Sequence, residues 1–89
     1  MKLHIHAAGV DEIVEVKDAA EALRRTKSEA AKRAPFMLRP VVNAMSDLTF
    51  AAEAVKRHNA EKKRNDAIPK SAEEFLQWGI ERGFVSVVE

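Results

Sequence analysis

The spacing of apolar residues switches near residue 18 from a period of two to a period of three to four, and that switch commits the chain to strands first and helices after. Residues Lys2 to Ala7 alternate, with Leu3, Ile5 and Ala7 on one side and Lys2, His4 and His6 on the other, the pattern of a strand with one covered face. Gly9 and Asp11 supply turn chemistry. Glu12 to Lys17 (EIVEVK) is β-branched enough for a second strand with Val14 and Val16 towards the core, so a hairpin is expected.

Helical spacing starts at Asp18, where Glu21 three residues on completes a capping box ahead of an alanine-rich segment. The expected apolar stripe is Ala19, Leu23, Ala30 and Ala34, with Thr26 between. These side chains are mostly small, so the helix approaches its neighbours closely and buries little area per turn. Pro35 and Pro40 bracket a connector whose Phe36, Met37 and Leu38 are too apolar to be left freely solvated. From Pro40, well suited to a first helical position, one long helix is predicted as far as Arg64. Its seam is Val41, Met45, Leu48, Ala52 and Val55, about two heptads and short of what a coiled coil needs. The seam continues as Asn59 and Lys62, so the last two turns have no apolar face.

Ser71 with Glu74 forms a second capping box, opening a helix from Ala72 to Arg82 with Phe75, Leu76, Gly79 and Ile80 on its apolar face. Trp78 falls at the margin of that face and is assigned to core packing. Gly83 is placed to end the helix in a left-handed cap, and Phe84 to Val88 (FVSVV) reads as a final strand beside the hairpin. The expected fold is α+β in the order ββαααβ: one domain over residues 1–89, with a three-stranded sheet covered by three helices.

A domain of 89 residues buries about two thirds of the surface its unfolded chain exposes, so its core is small and leaves little room for a pocket. The sequence has no Cys, which excludes disulfides, thiolate metal sites and cysteine nucleophiles and fits a cytoplasmic location. The first residues, MKLHIHAAGVDEIVEV, lack the apolar stretch of a secretory signal, and no run approaches a membrane span; a soluble protein with no membrane partner is expected.

The net charge of +1 conceals an uneven distribution. Residues 1–23 hold two basic and five acidic residues, 24–64 eleven basic and four acidic, and 65–89 two basic and five acidic. The positive stretch has two parts: Arg24, Arg25, Lys27, Lys32 and Arg33 on the first helix, and Lys56, Arg57, Lys62, Lys63 and Arg64 at the end of the long one. Antiparallel packing of these helices would merge them into one surface for nucleic-acid phosphates or an acidic protein. Against this stand Glu21 with Arg25, Glu29 with Arg33 and Glu53 with Arg57, i to i+4 pairs that place part of the charge in helix stability alone.

Signals for catalysis are weak. His4 and His6 share a strand face at a spacing that lets both imidazoles reach one metal ion, but His58 lies on another element and only Asp11 and Glu12 are near, so no metal is assigned. The serines at 28, 46, 71 and 86 sit in no nucleophile motif, and the isolated glycines at 9, 79 and 83 make no phosphate loop. No enzyme, cofactor or small-molecule substrate is expected. The reading is of a binding protein that engages nucleic acid or a nucleic-acid-handling complex through Arg24, Arg25, Lys32, Lys56, Arg57, Lys62, Lys63 and Arg64. Asn59 and Asn65 could add hydrogen bonds to bases. The alternative is a protein-interaction module, an inhibitor, adaptor or assembly chaperone or a homodimer, using Val41, Met45, Leu48 and Val55.

Overall fold

Strand β1 (Lys2–Ile5) runs between β2 (Glu12–Glu15) and β3 (Val85–Val87) in an antiparallel sheet of order β2-β1-β3. The computed structural model describes residues 1–6 and 11–88, so the expected strand end at Ala7 and the turn residue Gly9 lie outside the described residues. The alternation read from the sequence sets the two faces. Leu3 stands opposite Val14 and Val87, and Ile5 opposite Val85, on the face turned to the helices. His4 stands opposite Ile13 and Ser86 on the other face, where Ile13 is exposed. Met1 continues the ladder: its ammonium donates to the Val16 carbonyl at 3.1 Å, and its carbonyl accepts from the Val16 N–H at 2.9 Å.

Both predicted N-caps form, with the return bond of each Glu falling one residue before the cap. Asp18 accepts from the Glu21 N–H at 2.9 Å and Glu21 reaches back to the Lys17 N–H at 2.8 Å, opening α1 (Ala19–Arg33). Ser71 accepts from the Glu74 N–H at 3.1 Å and Glu74 reaches the Lys70 N–H at 3.0 Å, opening α4 (Ala72–Glu81). Gly83 ends α4 with φ +80°, and the Phe84 N–H folds back onto the Gly79 carbonyl at 2.9 Å, aiming the chain into β3.

The predicted long helix is instead two, so four helices stand where three were expected. α2 (Arg39–Ala44) stops at Met45, whose backbone is extended, and α3 (Asp47–Lys62) starts afresh from Ser46. The Ser46 hydroxyl accepts the Thr49 N–H at 3.1 Å, a cap that competes with helix continuation, and Asp47 in the first turn favours the new N-terminus. The break also turns the seam. Ala51 and Val55 are fully buried while Val41 and Leu48 are exposed and Ala52 only half-buried. Lys63, in the left-handed conformation (φ 54°), closes α3.

The core is thin. Leu3, Val16 and Ala22 form its centre, ringed by Met1, Val14, Leu76 and Val85. Along α1 the buried residues are Ala19, Ala22, Leu23 and Ala31, while the expected Ala30 and Ala34 are half-buried. Among the described residues no helix is long and apolar enough to cross a membrane.

Candidate functional site

The two basic sets do not merge. The Lys27 ammonium lies 3.5 Å from Asp47 and also donates to the Met45 carbonyl, which pins the middle of α1 to the start of α3. Lys62 is then about 22 Å further along the α3 axis. Arg24 and Arg25, within one turn of Lys27, stay at the near end. All eight predicted contact residues are exposed, but half of them have an acidic neighbour. The pairs are i to i+3 rather than i to i+4: Arg24 with Glu21 (3.6 Å), Lys32 with Glu29 (3.4 Å) and Lys56 with Glu53 (3.6 Å). Arg64 pairs with Asp66 at 3.2 Å. Arg25, Arg57, Lys62 and Lys63 have no acidic partner among the described residues.

The connector expected to be covered is the most exposed apolar part of the described molecule. Phe36 and Met37, on a single 3₁₀ turn over residues 36–38, are each 83% exposed; Leu38, Val41 and Leu48 are exposed as well. This corner is fastened at both ends. The Arg39 guanidinium donates to the carbonyls of Ala34 (3.2 Å) and Lys32 (3.3 Å), meeting the open end of α1, and Lys27 ties down the α2–α3 break. Of the four residues named for a protein interface, Val41 and Leu48 belong to this corner and Met45 is half-buried beside it. Val55 does not belong: it is 0% exposed and part of the core, because the break at Ser46 rotates α3 relative to the predicted seam.

At the other end of α3 the aromatic residues pack on one another. Trp78 stacks on Phe75 at 5.8 Å, and His58 sits edge-on to Trp78 (5.2 Å) and Phe84 (5.5 Å). Asp66 organises the polar side. Its carboxylate accepts from Trp78 Nε1 at 3.0 Å and from Arg64 Nε at 3.2 Å, with Arg82 Nε at 3.7 Å. The Trp78 hydrogen bond is the main cause holding this carboxyl below its ordinary range; partial burial opposes it, and Arg64 and Arg82 add to the depression. Asn59 pairs with the Asp66 backbone through both amide atoms, each at 3.0 Å, so it is not free to read bases. The arrangement fastens the α3–α4 connector and explains Trp78 as a structural residue with a polar handle. Sequence spacing could not reveal it, because the partners lie up to sixteen residues apart across an irregular segment.

On the outer sheet face His4 Nε2 contacts Asp11 Oδ1 at 2.5 Å, and this hydrogen bond is the chief cause lowering the Asp11 carboxyl. The His4 and His6 rings stack nearly parallel, 4.9 Å apart at 13°. In this arrangement the lone pairs of the two parallel rings do not converge on one point. Among the described residues no group of three or more His, Asp or Glu is placed to hold a metal ion.

The small side chains of α1 have an effect opposite to the one expected of a small core. Ala19 and Ala22 face Leu3, Ile5, Val14 and Val16 across a crevice of about 100 Å³, closed on its far side by Leu76 and Phe75 of α4. It adjoins a groove of about 240 Å³ between α1 and the hairpin, sharing Ile5, Val14, Arg25 and Thr26 with it. Comparison with protein-family models, curated protein sequences and solved structures yields no match to this chain.

Proposed function

We propose that this is a non-enzymatic protein-interaction module whose apolar corner, Phe36 to Val41 with Leu48, seats in an apolar groove on an acidic partner protein. The observation that carries the reading is the 83% exposure of both Phe36 and Met37 on a turn fastened by Arg39 and Lys27. A turn whose backbone is already fastened loses little backbone entropy on binding, and burying a Phe and a Met is worth about 4 kcal/mol. The collar around the corner is basic, from exposed Arg33 and Arg39. A two-fold self-contact would oppose these like charges, so an acidic rim on a different protein fits better than a homodimer. An inhibitor, adaptor or assembly chaperone working in the cytoplasm is consistent with this reading.

A second reading is supported by the unpaired Arg57, Lys62 and Lys63, which suit phosphate contacts to nucleic acid or a nucleic-acid-handling complex. Affinity capture with the wild type and with Phe36→Asp, each with and without nuclease, separates the two. Partners lost in Phe36→Asp and retained after nuclease are expected; an identical set from both proteins overturns the corner as the contact. Partners lost to nuclease but indifferent to Phe36→Asp select the phosphate reading.

A further inference from the structure

The crevice under α1 opens beside two charged side chains with no partner among the described residues. Glu21, the acid one turn before Arg25, is engaged with Arg24 and the Lys17 N–H, which leaves the Arg25 guanidinium free at the mouth. Glu12, opposite Ile5 at the edge of the sheet, lines the adjoining groove with its carboxylate unpaired. The other two charges of that groove, Lys32 and Glu29, neutralise each other at 3.4 Å. Among the described residues the groove therefore presents one free cation and one free anion beside an apolar hole. The Thr26 hydroxyl donates to the Ala22 carbonyl at 2.8 Å and so offers the groove an acceptor only.

The hole has a size. On the scale by which a 150 Å³ apolar cavity takes benzene, about 100 Å³ takes about four carbons. We propose that this crevice and groove bind a free aliphatic α-amino acid of the leucine type. Its four-carbon side chain lies between Leu3, Val14, Ala22 and Leu76, its carboxylate meets Arg25 and its ammonium meets Glu12. A zwitterion is the one small ligand that satisfies both unpaired charges. A fatty acid would leave Glu12 facing its carboxylate, and an alkylamine would leave Arg25 facing its ammonium. The site uses none of the corner residues, so its fate is independent of the protein-interaction reading.

The test is an amide NMR titration of the full chain with L-leucine, with alanine, 4-methylpentanoate and 3-methylbutylamine as controls. Leucine is expected to shift the amides of Val14, Ala22, Thr26 and Leu76 in the millimolar range, with each control at least about tenfold weaker. It should also raise the melting temperature by mass action. Arg25→Gln and Glu12→Gln, both at exposed positions, are expected to weaken leucine about tenfold while leaving the spectrum of the free protein folded. Ala22→Leu, which fills the crevice, should abolish the shifts, and the two Gln variants keep the test intact if it does not fold. The proposal is overturned by absence of shifts with leucine, by equal binding of 4-methylpentanoate or 3-methylbutylamine, or by Gln variants that bind as the wild type does.

Discussion

The body of α3 and the 3₁₀ corner beside its Asp47 end treat aromatic residues in opposite ways. Along α3, His58, Phe75, Trp78 and Phe84 pack ring against ring, and Phe50 in its first turn meets Phe75 edge-on at 6.4 Å. In the corner, Phe36 is the only one of the four Phe and one Trp with no ring contact among the described residues. The backbone is well fastened in both regions, by Asn59 and Asp66 in one and by Arg39 and Lys27 in the other. The difference therefore lies in side-chain burial alone. A chain that covers its aromatics in one region while holding one in water on a pinned turn has separated stability from recognition.

The sharpest way to break that contrast is to truncate both regions alike. Trp78→Ala should cost about 3–5 kcal/mol, since it removes the central ring and the donor to Asp66, and would be read from urea unfolding. An acid titration of stability tests the polar half of the cluster. The Asp66 carboxyl is held below its ordinary value, so the folded state gains stability that is present above that value and lost as pH falls through the depressed one. Asp66→Asn should flatten the acid limb, and an unchanged limb would place the depression elsewhere.

Smaller effects probe the backbone. Lys63→Gly relieves a left-handed position at the end of α3 and should stabilise by about 0.5–1 kcal/mol in the same assay. Gly79→Ala in α4 should be similar or slightly smaller, since a Cβ there meets only Val85 Cγ1 at an ordinary 3.5 Å. The smallest change in stability belongs to Phe36→Ala, within about 0.5 kcal/mol of the wild type. A large loss there would mean that the corner supports the fold after all.

Local signals carried most of the fold. The alternation of residues 2–6, the two N-caps and Gly83 each specify their element through contacts within four residues, and each element forms. The interruption at Ser46 was equally local, with a Ser-Asp pair ahead of Leu48, but the regular seam from Val41 to Val55 masked it. The rest depended on partners distant in sequence. Whether Phe36 is covered depends on what packs over it, which composition does not state. Asp66 acquires its role only when Asn59, Trp78 and Arg82 converge on it. The crevice has no signature in the sequence, since the alanines that shrink the core also leave it unfilled.

The sheet carries a kinetic consequence. Its middle strand pairs Leu3 with Val87, joining positions 84 apart, so the third strand docks only by closing a loop of almost the whole described chain. Closing so long a loop costs about 4 kcal/mol beyond a constant term, which the few bonds of β3 must offset together with the packing of Val85. Such pairing slows folding relative to a helical bundle of equal length. It also bares one edge of β1 whenever β3 lets go, so the molecule's exposure to strand-to-strand aggregation follows the stability of its last three-residue strand.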